Sequence, residues 1–488
     1  MRVHFFLTMT CMLNSTALAF ENENAAEVTT GNQSITSLLP NNSCGSSDDG
    51  FHKVVIDYGG ELIWQSNEQN LVFSGTFWGS LITVLPSMFF IERFSPRHVL
   101  QTAVAVYIVI SAITPYLATH YGYLPVFIAR SIMGLGEGFV APSYTTIIGN
   151  WFPASEKSTA VSMFTTGNQL AAAVGNPVVA AVCASEFGWP WIFYIAGFAG
   201  TCWSIVWFFT ASNHPAKVKL MTKKEKEYLL ANVTKKISKS EKTHKVPYAK
   251  ILTSPAFLAQ LQCQFVVNFM LTLFQTYLPT YFKELLQLGV IANGNFIAIP
   301  NMCNMVFKMV WGIGIDKMKE KKICSSTKAV KISQGIASYG CALALILIAY
   351  FVDCSNPTTG LILFCFLYCC QGTFVSGFYT SLLCLAPQYT ATLSAISMFC
   401  ALLGRLFTPA IVGFFRQKGT PSEWKNIFVG CAISLIISGT IFLMFGSGEV
   451  QEWAKIKDDV EMKENVMTEE EKLNEISARV IQEESLCV

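Results

Sequence analysis

The chain has 488 residues, 52% hydrophobic and only 14% charged, where a soluble domain carries about 25% charged residues. A formal net charge of +2 gives no overall field to attract a nucleic acid. No phosphate loop, metal-ligand spacing or nucleophile motif stands out, so neither an enzyme nor a cofactor or metal site is expected, and the 16 cysteines read mostly as small hydrophobes in apolar segments.

Charge gathers in a few loops and at both ends, and the apolar runs between them are long. A bilayer-spanning helix needs about 20 mostly apolar residues, because no water is available there to satisfy the backbone. Such runs lie at roughly 3–20, 71–91, 99–117, 124–147, 159–184, 189–210, 256–281, 290–314, 332–352, 358–384, 391–415 and 425–446. The first has a second reading, a cleaved signal peptide, because Ala17-Leu18-Ala19 resembles a cleavage site. An even number of spans favours its retention as a helix.

The loops set the orientation. Residues 21–70 hold eight acidic residues against the single basic Lys53, with glycosylation sequons at Asn32 and Asn41, so this loop is expected on the lumenal or outer side. Residues 211–255 carry eleven Lys and three Glu, and Lys317, Lys319, Lys321 and Lys322 follow the eighth span. Basic loops stay in the cytoplasm. The expected division is therefore an N-terminal bundle of six helices over 1–210, a basic cytoplasmic linker over 211–255, a second bundle of six over 256–447 and a charged cytoplasmic tail over 448–488. Thr222 with Glu225, and Thr468 with Glu471, have the spacing of helix-capping boxes in the linker and the tail. The terminal Ser485-Leu486-Cys487-Val488 is of a kind that cytosolic peptide-binding domains take. Cys44, Cys183 and Cys354 fall on or near the non-cytoplasmic side, which leaves a disulfide among them open.

Ionisable residues inside spans are costly, and mark function by default. Arg130 and Glu137 share a face of the fourth span, two turns apart, too far for direct contact. Glu137 is a candidate proton carrier, and Arg130 an anion or gating contact; the plainer alternative is an interhelical pair. Arg405 in the eleventh span either clamps a substrate carboxylate through its planar fork or pairs with Glu137 across the two bundles. Asn268, Gln169 and Gln275 are neutral polar candidates for substrate contact, or else stitch helices together. Glu92, Arg93 and Arg97 after the second span, and Asp316 and Lys317 after the eighth, sit at equivalent places in the two halves. They are candidate cytoplasmic gates, with a topology signal as the alternative.

The motifs then bring a family into view. Arg130 through Pro142 reads RSIMGLGEGFVAP, followed by Trp151-Phe152-Pro153 and Glu156-Lys157-Ser158. Gly188-Trp189-Pro190 opens the sixth span, Leu278-Pro279-Thr280-Tyr281 closes the seventh, Ala386-Pro387-Gln388-Tyr389 precedes the eleventh, and Gly448 through Trp453 follows the last. Over about residues 60–453 the chain resembles the anion-transporting solute carriers of the major facilitator superfamily, the family of sialin, the vesicular glutamate transporters and the type I sodium–phosphate transporters. The resemblance implies an all-α membrane protein of twelve transmembrane helices in two bundles. It implies alternating access for a small organic anion (acidic sugar, carboxylate or phosphate), coupled to H+ or Na+ or driven by the membrane potential, in a lysosomal, vesicular or plasma membrane.

Arg130 and Glu137 match positions this family uses for transport and coupling. Other positions depart from it. Phe73 stands where vesicular glutamate transporters carry His, Val267 where they carry Arg, Met133 where sialin has an extra acid, and Ser381 through Cys384 where the family has Asn-His-Leu-Asp. Arg405 occupies a usually small position and is read as replacing the charge missing at Val267. The expected function is proton- or ion-coupled anion transport through Glu137. The alternatives are an uncoupled or potential-driven facilitator, and a transport-inactive sensor or scaffold.

Overall fold

The computed structural model describes residues 2–18, 58–151, 157–213, 221–222, 224–225, 247–386, 389–416 and 419–454. Both sequons, most of the linker and the tail beyond Ala454 lie outside them. The described residues are almost entirely helical: α1 (Arg2–Met12), α2 (Ser66–Val84), α3 (Ser87–Phe94), α4 (Pro96–Tyr121), α5 (Tyr123–Trp151), α6 (Lys157–Cys183) and α7 (Pro190–Thr210) precede the linker. After it come α8 (Tyr248–Leu252), α9 (Pro255–Glu284), α10 (Val290–Glu320), α11 (Ser326–Phe351), α12 (Pro357–Gly372), α13 (Phe378–Leu385), α14 (Thr390–Phe415) and α15 (Pro421–Phe445). Among the described residues, nine helical stretches are long and apolar enough to cross a membrane.

The first expected span departs from 3–20. Its helix is 11 residues long and stops at Leu13, whose backbone forms a parallel bridge with Leu62. Eleven residues rise about 16 Å, roughly half a bilayer core. α1 is nonetheless part of the core: Phe6, Leu7 and Met12 are fully buried, and the helix packs on α6 and α9. Stopping there puts Cys11 at a helix end beside the end of α6, where it is bonded to Cys183. Cys11 was not among the cysteines expected to pair, because a helix running on to residue 20 would have buried it in mid-span.

Two other spans are broken. The second is split at Leu85-Pro86, where proline has no N–H to continue the ladder. The tenth is α12, a 3₁₀ turn over Thr373–Val375, then α13. Backbone freed inside a membrane protein must find a partner. Gln334 of α11 supplies one, accepting from the Phe378 N–H at 3.1 Å.

Packing sorts the helices into two groups. α5 packs on α2 and α4, and α4 on α7; α9 packs on α14 and α15, and α11 on α12 and α15. Between the groups α2 meets α14, and α6 meets α10. Each pair joins the second span of one half to the fifth of the other, the signature of an internal repeat. The α2–α5 contact is backbone to backbone: a Cβ on Gly79 would lie 2.0 Å from the Ser131 carbonyl, and one on Gly134 2.2 Å from that of Thr76. That contact fixes α5, and with it Arg130 and Glu137.

Candidate functional site

The site is assembled from four helices. Gly404 of α14 sits so close to α9 that a Cβ there would be 2.4 Å from the Phe265 carbonyl, and Thr408 donates to the Phe269 carbonyl at 3.2 Å. This seats Arg405 against α9, where its Nε donates to Asn268 Oδ1 at 3.0 Å. Asn268 is held in turn, donating from Nδ2 to the Gln264 carbonyl at 2.8 Å. Nη1 of the same guanidinium lies 3.9 Å from Glu137 Oε1, so an ion pair joins the two halves. On the other side of that carboxylate, the Tyr107 hydroxyl of α4 donates to Oε2 at 3.3 Å. The side chains of Arg405 and Glu137 keep 29% and 19% of their surface exposed, enough to meet a solute.

Arg130 lies apart from this pair, as its spacing required. It is 3% exposed, its Nε donates to the Val72 carbonyl at 3.1 Å, and its guanidinium stacks 3.7 Å from the Phe5 ring centre. Nη2 has no hydrogen-bond partner among the described residues, and Arg130 lines a cavity of about 20 Å³ with Ser111 and Thr114, room for one water. Gln275 is half-buried on α9, two turns beyond Asn268. Gln169 is half-buried on α6, its Oε1 enclosed and without a hydrogen bond among the described residues. Neither is joined to the Glu137–Arg405 pair by a hydrogen bond among the described residues.

The charges after the second and eighth spans are likewise separate. Arg97 donates to the Phe208 carbonyl, its N–H donates to Asn213 Oδ1 at 3.0 Å, and neither contact reaches the second half. Asp316 pairs with Lys319 on its own helix at 3.4 Å; Arg93 and Lys317 are exposed, and the side chain of Glu92 is not described. No hydrogen bond or ion pair among the described residues joins the halves at this basic end.

The opposite end, marked by the disulfide, is tied shut. Lys283 of α9 donates to the Thr10 carbonyl at 2.9 Å and to Ser15 Oγ at 2.7 Å, and its ammonium lies 4.4 Å from the Tyr58 ring centre. Tyr58 donates to the Leu288 carbonyl at 2.6 Å and accepts from Asn293 at 3.2 Å. Burial pushes its phenol up to about 12, so it remains a donor at neutral pH. Tyr277 donates to Asn70 Oδ1 at 2.6 Å, again across the halves. Beside them Glu284 takes Arg416 on both oxygens and the Trp424 indole N–H at 3.1 Å.

Sequence reasoning passed over Tyr107 and this whole closed end. A tyrosine in an apolar run carries no signal until its partner is known. Lys283, Glu284 and Arg416 were readable as charges at span ends, but not as a connected set.

A pair of helical halves with opposed charges meeting at their interface is the architecture of a membrane transporter. The Major Facilitator Superfamily model matches residues 28–409. The chain belongs to that superfamily, within its anion-transporting solute carrier family, and is an integral multi-pass membrane protein rather than an enzyme. It is 66% identical to the uncharacterized transporter slc-17.3 of Caenorhabditis elegans, over all of this chain and 94% of the relative. It is 28% identical to human sialin, over 80% of this chain and 78% of sialin. The fold matches the crystal structure of a D-xylose–proton symporter with a TM-score of 0.60 at 14% identity, covering 79% of this chain and 90% of the symporter.

Proposed function

We propose that the chain is a secondary active transporter of a small organic anion, coupled to protons through Glu137, and that Arg405 is the cation the anion seeks. The observation that carries this is the Glu137–Arg405 pair across the halves, with Asn268 orienting the guanidinium and Tyr107 the carboxylate. An entering carboxylate or phosphate competes with Glu137 for the Arg405 fork. Glu137, released from its counter-charge, takes a proton from water at the basic end. The halves are then no longer held together by that pair and can exchange the closed end for the open one. With the basic end in the cytoplasm, the arrangement is the inward-facing one. Relatives named as sialin, a vesicular glutamate transporter and a putative inorganic phosphate cotransporter support an anionic substrate. Arg405 sits one residue from Val267 through Asn268, which supports its standing in for the family's charge there.

One observation favours a second reading, a potential-driven carrier without proton coupling. Two family charge positions are apolar and buried here, Val267 at 3% exposure and Phe73 at 2%, the latter packed among Phe5, Phe6 and Tyr277.

The test is uptake by proteoliposomes of the full chain against sialic acid, glucuronate, glutamate and phosphate, with a proton gradient and a membrane potential imposed separately. Proton-stimulated uptake that disappears in Glu137→Gln is the expected result. Uptake that follows the potential and is unchanged in that variant would replace proton coupling with the second reading.

A further inference from the structure

A second cavity lies away from the charged site. It is a half-open groove of about 600 Å³ between α3, α4 and α5, lined by Phe90, Phe94, Val106, Gly136 and Phe139 and, near the start of α4, by His98, which marks the end we take as its mouth. The volume is in the ~300–1,000 Å³ range of small-molecule sites. Its walls are exposed where a soluble protein would cover them: Phe90 at 41% and Phe94 at 55%. In a membrane-embedded chain such a groove faces hydrocarbon, so its occupant is apolar along most of its length. The mouth differs. It lies at the basic end, where Arg93 and His98 are exposed, while Arg97 is engaged by the Phe208 carbonyl. Glu92 is the acidic neighbour in sequence. α4 runs from this mouth into the membrane, and Val106 lies eight residues beyond His98, about 12 Å along the helix.

We propose that this groove holds one acyl chain of an anionic phospholipid, whose phosphate rests on Arg93 and His98. The lipid lies directly behind the candidate site, because Val106 and Gly136 adjoin Tyr107 and Glu137 in sequence, and a hydrogen bond joins those two. The inference rests on the chain's membrane-embedded family, not on the transport reading, and either stands if the other fails.

The test uses the full-length chain in phosphatidylcholine nanodiscs. It compares phosphatidylserine and phosphatidylcholine probes that each carry a photoactivated diazirine in the acyl chain. Saturable labelling of α4 and α5 by the serine probe, several-fold above the choline probe, is expected. Thr102→Trp should fill the groove and abolish that labelling, and Ile132→Trp on the facing wall serves if the first variant does not fold, as judged by its thermal unfolding. Arg93→Gln should cut the serine preference about fivefold, the effect of one basic side chain at an anionic surface. Equal labelling by both probes in the unaltered chain would mean ordinary boundary lipid and overturn the proposal. So would labelling that persists in both tryptophan variants.

Discussion

At the scale of single residues, the chain's chemistry turns on few charges, each held by a different device. Arg405 has one neutral anchor in Asn268 and one charged partner in Glu137. A charge-assisted hydrogen bond is worth about 1.5–3 kcal/mol, or roughly 10- to 100-fold in affinity. Arg405→Gln should therefore raise the KM for the transported anion by that order, and Arg405→Lys should recover only part of it, since a point charge lacks the fork. Concentration-dependent uptake measures both, and an unchanged KM in Arg405→Gln would remove the residue from the binding site. The Glu284–Arg416 pair is a different case, a bidentate pair enclosed with Trp424 inside one half. Removing one partner strands a buried charge, at about 3–5 kcal/mol. Glu284→Ala should lower the thermal unfolding midpoint of the solubilised protein much more than an exposed change such as Asp316→Ala does. Arg405 was visible in the sequence because an arginine in an apolar run is rare; Tyr107 was not, because its importance lies wholly in what it faces.

At the scale of elements, the spans were legible almost to their ends because apolar length is a one-dimensional property. The breaks were less so. α1 looked like a full span and is half of one, and the tenth span read as a single run although it is two helices around a 3₁₀ turn. Such a break survives because a side chain from another helix completes the ladder, and no local pattern records that. Gln334→Leu should leave the Phe378 N–H unsatisfied and cost about 1–3 kcal/mol, measurable by thermal unfolding. At the α2–α5 contact no substituent has room, so Gly134→Val should separate the two backbones. The expected outcome is poor assembly, or a folded protein with strongly reduced uptake because Glu137 has moved; normal yield with normal uptake would contradict it.

At the scale of the whole molecule, the two halves are joined at the disulfide end and through Glu137–Arg405, with no described hydrogen bond or ion pair joining them at the basic end. A state held by few contacts is sensitive to each of them, since a ligand or a mutation shifts a conformational equilibrium only by its differential free energy. Lys283→Met removes the hydrogen bonds to Thr10 of α1 and to Ser15 just beyond it, and the contact with Tyr58. It should shift the population towards opening at that end. A cysteine placed at Asn70 should then react faster with a membrane-impermeant maleimide applied from the disulfide side, and an unchanged rate would show that Lys283 does not hold the gate.

The sequence alone determined that this is a helical membrane protein of the transporter type, where its spans lie and which charges within them are costly, because hydropathy and the rarity of buried charge are properties of the chain itself. It also marked Arg130, Glu137 and Arg405 as residues to explain. Only the tertiary structure decided that Arg405 pairs with Glu137, that Tyr107 and Asn268 orient the pair, that Cys11 bonds Cys183 and that one end is shut. Those are contacts between residues from 30 to more than 270 positions apart, made by helices whose mutual rotation depends on packing that no single helix encodes.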